Sequence, residues 1–362
     1  MDSARRIKFG IVGSGWRAGC YLATASLLGD ACVVAGIAGR NSGTAESLAA
    51  RWKVPAFSSA AELVASADPD FVLVTVQGEA MAAVLVDLMG LDVPLLAETP
   101  PASSIEGLER LWNETERRKA RIQVAEQYWL QPMQQARLAA VSAGLIGAPS
   151  YAQVSVNHGY HNVSLIRRYL GIGFENARIS ATGFSAFVTE GPGRGGPPTE
   201  ERIAPVEHVI GLFDFGEKGR GLFDFEQNQH RSWIRSGRVV VRGERGEIAD
   251  SRIAYLEDFR SPVSDGLERV QAGGDGNFEG YYLKGVALGD RWLYRNPFAF
   301  ARLSDEEISQ AACLAAMGEY VRTGESFYPL AEAAQDQYLA IMLRKAVELG
   351  APVVTESRAW TR

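Results

Sequence analysis

The chain has 362 residues, a formal net charge of −6 and a pI near 5.5. This acidic balance argues against a nucleic-acid-binding surface. With 46% hydrophobic and 22% charged residues, the composition is typical of a soluble globular protein with one large or two smaller domains.

The cysteines and the apolar segments indicate where the protein works. Cys20, Cys32 and Cys313 lack metal-ligand spacing, which favours a reduced, cytoplasmic setting. The first strand-like run begins within a few residues of Met1, so we expect no signal segment. The apolar stretch at 81–97 is interrupted by charged residues and a proline, which predicts no membrane span.

The most informative stretch is a β-branched run at 7–12 that ends in a glycine turn and continues as a helix-forming run. Its G-x-G-x-x-G/A spacing is that of a dinucleotide-binding fingerprint. Glycine gives the first turn a permissive backbone and lets a pyrophosphate approach the main chain at the second. The helix N-terminus adds unpaired N–H groups. We therefore predict that the cofactor pyrophosphate is held by Gly13, Ser14, Gly15, Trp16 and Arg17.

Strand and helix patterns alternate from here to Ala125, which predicts a doubly wound parallel sheet, an α/β fold. Ligands then bind at the carboxyl ends of the strands. Ser42 is the predicted N-cap of the second helix. We predict a Rossmann dinucleotide-binding domain at 1–126 and a substrate and oligomerisation domain at 127–362. The predicted strands of the first domain are 7–12, 31–38, 54–57, 70–76, 93–97 and 121–125.

The end of the second strand, Gly39-Arg40-Asn41, bears on the choice of cofactor. A carboxylate at this point would bind the ribose 2′-hydroxyl of NAD, whereas an arginine accepts a 2′-phosphate. No carboxylate stands at the tip. We therefore predict that Gly39, Arg40 and Asn41 bind the adenosine ribose, with NADP(H) favoured and NAD(H) possible. Arg40 is equally compatible with an ordinary surface arginine.

In the second half, a helix is predicted at 127–142 and strands at 150–156, 177–188, 208–215, 221–227, 236–242 and 247–255. The repeated GLFDF at 211–215 and 221–225 predicts two arms of one hairpin joined at 216–219. The Gly/Pro-rich stretch at 190–205 is a connector, a lid or an oligomer arm, and the connector is favoured. The aromatic and arginine residues at 289–298 suit either a sugar site or a packed loop.

In order and spacing, these pieces resemble the glucose–fructose oxidoreductase/inositol dehydrogenase (Gfo/Idh/MocA) family. The similarity includes the fingerprint, DPDFVLVTV at 68–76, Glu98-Thr99-Pro100, GLIG at 144–147, HGYHNVSLIRRYLG at 158–171, VRGERGEI at 241–248 and the helical ending. The resemblance implies a second α+β domain with a large, mostly antiparallel sheet whose open face forms dimers or tetramers. It also implies NAD(P)-dependent oxidation or reduction of a sugar or cyclitol carbinol, with Glu98, Thr99 and Pro100 bordering the nicotinamide and Val76 among the cofactor-binding residues.

The chain departs from the family at its usual catalytic positions. Thr99 stands where the family has lysine, and Asn157 stands four residues before His161, where the family has aspartate. Asparagine can orient an imidazole but cannot stabilise an imidazolium as a carboxylate does. The resemblance implies that His161 exchanges the proton, that Asn157 orients it and that Tyr160 is a nearby hydroxyl. A helix-cap histidine satisfied by backbone is the alternative for His161.

Three further hypotheses follow from the same residues. His158 and His161 have the spacing to share a metal ion, but no third ligand is fixed, so we predict no metal. The losses at Thr99 and Asn157 are compatible with a cofactor-binding sensor or subunit that has lost catalysis. A redox-assisted lyase or glycosidase, which regenerates its cofactor, is the second enzymatic alternative.

Overall fold

The computed structural model describes residues 6–275 and 278–361. Within them, one sheet has six parallel strands in the order β3-β2-β1-β4-β5-β6. Its elements are β1 (Ile7–Val12), α1 (Trp16–Leu28), β2 (Cys32–Ala38), α2 (Ser42–Trp52), β3 (Ala56–Phe57), α3 (Ala60–Ala67), β4 (Phe71–Val74), α4 (Ala80–Leu88), β5 (Leu95–Ala97), α5 (Ile105–Arg118) and β6 (Ile122–Val124).

The predicted doubly wound α/β arrangement is confirmed. All four residues of β4 are fully buried, which is what a continuous apolar run in a parallel sheet requires. One cap prediction is wrong. Asn41, not Ser42, is the N-cap of α2, and its Oδ1 accepts a hydrogen bond from the Thr44 N–H at 3.2 Å.

The second half of the described chain contains an eleven-stranded sheet in the order β16-β15-β14-β13-β12-β11-β7-β10-β9-β8-β17. Only the β7–β10 pair is parallel among its pairings. The elements are α6 (Pro132–Ser142), β7 (Pro149–Ser155), α7 (Gly159–Leu170), β8 (Arg178–Thr189), β9 (Ile203–Asp214), β10 (Arg220–Glu226), β11 (Arg238–Gly243), β12 (Gly246–Ala249), β13 (Arg252–Leu256), β14 (Pro262–Gln271), β15 (Leu283–Leu288), β16 (Arg291–Arg295), α8 (Asp305–Thr323), α9 (Leu330–Leu349) and β17 (Val353–Val354).

Two predicted elements of this half differ from the structure. The predicted helix at 127–142 begins only at Pro132, because Gln131 is extended before the proline. The predicted strand at 247–255 is two strands, β12 and β13, separated where Asp250 adopts a φ of 55°. The predicted hairpin of β9 and β10 is confirmed, with a short 3₁₀ turn between its arms.

The last two helices return to the first sheet and close the structure. α8 packs against α1. The buried Gln123 in β6 accepts three hydrogen bonds through its Oε1, from Ser326 Oγ and from the N–H groups of Phe327 and Tyr328. α7 lies on β7 and β10. Its N-terminal end faces the carboxyl edge of the first sheet, because His161 in its first turn contacts Glu126 after β6.

The opposite face of the large sheet carries exposed apolar side chains, among them Phe184 and Leu212. The Phe184 ring lies against His208, whose Nε2 is 2.6 Å from Asp224 Oδ1. Dimer or tetramer formation through this face and the boundary at residue 126 both stay predictions. In residues 6–275 and 278–361, no helix has both the length and the apolar character needed to cross a membrane.

Candidate active site

A cavity of about 980 Å³ opens between the carboxyl edge of the parallel sheet and the second half of the chain. Ligands of open α/β sheets bind at this edge. Several residues predicted from the sequence line it together: Trp16, Arg17, Val76, Glu98, Thr99, Asn157 and His161. The cavity is therefore the candidate site.

The glycine turn before α1 fits a dinucleotide. A Cβ on Gly13, which has a φ of 122°, would lie 2.4 Å from the Thr75 Oγ1, so the turn packs against the end of β4. A Cβ on Gly15 would meet no atom within 4 Å. Gly15 is also the N-cap of α1 and supplies no side-chain cap. The open space and the uncapped N–H groups together form a cradle for a pyrophosphate.

The other predicted cofactor residues lie beside this turn. Ser14 is close to Gly39, since a Cβ on Gly39 would be 3.2 Å from the Ser14 Oγ. Arg40 follows β2 and is exposed. Asn41 is committed to capping α2. Gly39 and Arg40 thus stand at the tip of β2, where the sequence predicts the adenosine ribose.

His161 lies in the first turn of α7, and its ring meets a carboxylate. Nδ1 of His161 is 2.6 Å from Oε2 of Glu126, the second residue after β6. The Glu126 side chain is fully buried, and its Oε1 accepts a hydrogen bond from the Tyr128 N–H at 3.0 Å. The Tyr128 ring packs on the imidazole with 4.3 Å between centroids. A carboxylate therefore holds His161, and backbone capping does not.

This pair corrects two positions expected from the sequence. Asn157 does not orient His161, because its Oδ1 accepts the N–H of His158 at 2.8 Å and Glu126 occupies the imidazole Nδ1. Tyr160 is buried in the core of the parallel-sheet half, packs edge-on against His161 and is not part of the cavity wall. Tyr128 is the tyrosine in the wall, and burial raises the pKa of its hydroxyl.

Arg17 is the centre of a second network. Its Nε donates to Glu98 Oε1 and its Nη1 donates to Glu306 Oε1, each at 2.7 Å. Burial acts to lower the pKa of Arg17, but the two carboxylates outweigh it and raise that pKa. Two nitrogens of the guanidinium are therefore engaged by carboxylates, which leaves Nη2 and the backbone N–H of Arg17 for a pyrophosphate.

Glu306 is the second residue of α8 and connects this network to the other wall of the cavity. It also accepts a hydrogen bond from Gln127 Nε2 at 2.7 Å. Burial acts to raise the pKa of Glu306, but Arg17 outweighs it, so the net effect is a lowered pKa. One arginine between two carboxylates leaves a net negative charge beside Thr99, which itself carries none.

Sequence reasoning missed Glu126, Tyr128 and Glu306. Glu126 had a signal, because it follows the last parallel strand at the edge where ligands bind. Glu306 had none, because it is 289 residues from Arg17 in the chain. The aromatic segment at 289–298 forms β16 and the turn after it, and contributes nothing to the cavity wall.

The histidines near the cavity are not arranged as metal ligands. Burial, then the neighbouring His161 and His230, lowers the pKa of His158 to about 3. Burial, then Arg231 and His161, lowers the pKa of His230 to about 4. Across the described residues, no group of three or more His, Cys, Asp and Glu side chains has the geometry to hold a metal ion.

The Rossmann fold of the first half of the chain is that of an NAD-binding oxidoreductase family. Residues 7–126 match the model of the Gfo/Idh/MocA oxidoreductase family, described as having an NAD-binding Rossmann fold. The predicted resemblance to the Gfo/Idh/MocA family is confirmed for residues 7–126. Comparison with curated proteins gave no match.

Solved structures share the fold over nearly the whole chain. An oxidoreductase from Agrobacterium radiobacter in complex with NAD+, L-tartaric acid and magnesium is 16% identical, with 96% of this chain and 98% of that one covered and a TM-score of 0.67. A levoglucosan dehydrogenase in complex with NADH and levoglucosan is 13% identical, with coverage of 97% and 99% and a TM-score of 0.69. A UDP-N-acetylglucosamine 3-dehydrogenase from Acidithiobacillus ferrooxidans is 16% identical, with coverage of 96% and 99% and a TM-score of 0.63.

Gly15→Ala and Gly13→Ala test two different roles of the glycine turn, cofactor binding and packing. Gly15→Ala should fold normally but weaken NADH binding by about tenfold or more, because its methyl group enters the space for the pyrophosphate. Gly13→Ala should lower the free energy of unfolding by about 1–3 kcal/mol, because its Cβ meets Thr75 in a backbone conformation that favours glycine. NADH fluorescence titration and urea unfolding measure the two effects. Unchanged NADH affinity in folded Gly15→Ala would contradict the cradle.

Proposed function

We propose that this protein is an NAD(P)-dependent dehydrogenase that oxidises or reduces a carbinol carbon of a sugar, cyclitol or related polyol. One observation carries the proposal: the buried Glu126 carboxylate is 2.6 Å from His161 Nδ1, and His161 lines the cavity beside the fingerprint. Levoglucosan dehydrogenase and UDP-N-acetylglucosamine 3-dehydrogenase, which share the fold, act on sugars by name.

We assign to His161 the exchange of a proton with the substrate hydroxyl. With Nδ1 engaged by Glu126, the nitrogen left for a substrate hydroxyl is Nε2, which makes no hydrogen bond to the described residues. A carboxylate on Nδ1 holds the imidazole in this tautomer and stabilises the imidazolium that forms when Nε2 takes the proton. The bound nicotinamide supplies the hydride acceptor or donor.

In the family, an aspartate at the position of Asn157 orients the histidine. In this chain Glu126 takes that role. The carboxylate comes from the end of β6 instead of from the turn before α7. Asn157 lines the cavity, where its amide is available to bind a substrate hydroxyl. Thr99 offers a hydroxyl in place of the family's lysine, so we assign proton transfer to His161 without help from a neighbouring lysine.

For the cofactor, we propose a preference for NADP(H) over NAD(H). Arg40 is exposed at the tip of β2, and no ion pair with another described residue occupies its guanidinium. A free arginine at this position suits a 2′-phosphate.

Removing the imidazole tests the proton assignment. His161→Ala should lower kcat by about 10²- to 10⁴-fold, the usual contribution of a general base. Glu126→Gln should lower kcat by about tenfold or more while KM and NADH affinity stay near wild type, because only the tautomer and the imidazolium are affected. Steady-state kinetics on the best polyol substrate measures both. Glu126→Asp should recover part of the loss.

His208→Asn is the matched control, because His208 forms an equally short contact with Asp224 on the far face of the large sheet. Its kcat should stay at the wild-type value. Full activity of His161→Ala would overturn the assignment.

Arg40→Ala tests the cofactor proposal. The wild-type protein should bind NADPH more tightly than NADH, and the variant should lose about tenfold in NADPH affinity with little change for NADH, because the arginine contacts only the 2′-phosphate. Fluorescence titration with each nucleotide measures the difference. Tighter binding of NADH by the wild-type protein would contradict the proposal and leave the fold assignment intact.

A further inference from the structure

Two arginines in the cavity wall have no carboxylate partner. Of the arginines that line the cavity, Arg17 pairs with Glu98 and Glu306, and Arg235 pairs with Glu226 at 3.0 Å. Arg194 and Arg231 have no ion pair or side-chain hydrogen bond with any residue that the structure describes. Their positive charges therefore remain available to a ligand.

Arg194 is held at the apex of a tight turn. The N–H of Gly193 donates to the carbonyl of Gly196 at 2.9 Å, and the N–H of Gly196 donates back at 3.2 Å. The loop between β8 and β9 that carries this turn is closed at its base, where the Glu190 N–H donates to the Arg202 carbonyl at 2.8 Å. The guanidinium lies 4.9 Å from the Trp16 ring. This loop thus connects β8 to β9 and also carries Arg194 into the cavity wall.

Arg231 stands on a turn that is tied to the large sheet. The turn Gln229–Arg231 follows β10, and the buried Gln229 Nε2 donates to the Ser155 carbonyl, the Ser155 Oγ and the Ser236 carbonyl. The Arg231 guanidinium lies 6.0 Å from the same Trp16 ring. Trp16 therefore serves as a shared platform for two cations that the fold brings from separate elements.

Both arginines lie at the histidine end of the cavity. Their charges contribute, after burial, to the lowered pKa of His230, and Arg194 contributes to that of His158. The His158 ring is 5.1 Å from the His161 ring. With His158 and His230 neutral at physiological pH, Arg194 and Arg231 are the described arginines of this cavity wall that have no carboxylate partner.

We propose that Arg194 and Arg231 bind an anionic group, a carboxylate or a phosphate, on the substrate. The substrate is then a sugar acid or a phosphorylated sugar, and a neutral polyol is a poor one. This inference rests on the proposed dehydrogenase function and narrows its substrate class. Arginine suits the role because its planar fork matches the oxygens of both groups.

The test uses NADH-loaded protein and matched sugars: D-glucose with D-glucuronate and D-glucose 6-phosphate, and the same sets for galactose and mannose. At least one anionic member should bind about tenfold or more tightly than its neutral parent. Binding is measured from the change in fluorescence of bound NADH. The uronate and phosphate arms distinguish the two anions. Equal binding of all neutral and anionic members would overturn the inference.

Variants assign the preference to the two arginines. Arg194→Gln and Arg231→Gln should each remove most of the preference for the anionic sugar, and Arg231→Lys should keep part of that preference. Arg202→Gln, at the base of the same loop and paired with Glu190 at 3.5 Å, is the control and should keep all of it. A preference that survives in both glutamine variants, or a loss of NADH affinity in place of anion affinity, would overturn the inference in favour of cofactor binding.

Turnover on the same panel separates this inference from the proposed function. Oxidation of neutral and anionic sugars at equal kcat/KM would support the dehydrogenase and contradict the anion site. Arginine-dependent anion binding without turnover of any member would support the anion site and contradict the dehydrogenase.

Discussion

A hydrogen bond between the Glu126 carboxylate and His161 Nδ1 joins the parallel sheet to the second half of the chain, and the candidate chemistry depends on it. A fully buried carboxylate needs a partner, because its desolvation is otherwise uncompensated. β6 holds Glu126 in place: the N–H of Ala125 donates to the Ala97 carbonyl of β5 at 2.8 Å. The position of the imidazole therefore follows from the register of the sheet.

The second constraint is the distribution of charge across the cleft. Arg17, Glu98 and Glu306 form a network with net negative charge on the fingerprint side, and Arg194 and Arg231 come from the second half of the chain and reach the Trp16 ring beside that network. The Arg17 and Glu98 side chains are largely buried, and partly buried charges act on one another more strongly than charges in bulk water. In the proposed function, a polar substrate lies between the histidine that exchanges the proton and the two arginines that bind the anionic group.

The sequence predicted the parts of the fold that local pattern controls. Alternating apolar runs and glycine turns located β1, β4 and the β9–β10 hairpin, because each is specified by residues close in the chain. The Glu126–His161 and Arg17–Glu306 contacts join residues 35 and 289 positions apart, so no local pattern encodes them. The expected position of Tyr160 near the site was wrong for a related reason. Packing of α7 against its neighbours determines which side of the helix is buried, and residue spacing alone does not show this.

The most direct test of the account is ¹⁵N NMR of the histidine imidazoles in NADH-loaded protein at mildly alkaline pH, with His161→Ala to assign the resonances. We expect neutral His161 to carry its proton on Nδ1, in a strong hydrogen bond that weakens in Glu126→Gln, with Nε2 unprotonated and ready to accept a proton. A proton on Nε2, with Nδ1 bare, would contradict the account, because His161 would then have no basic nitrogen facing the cavity.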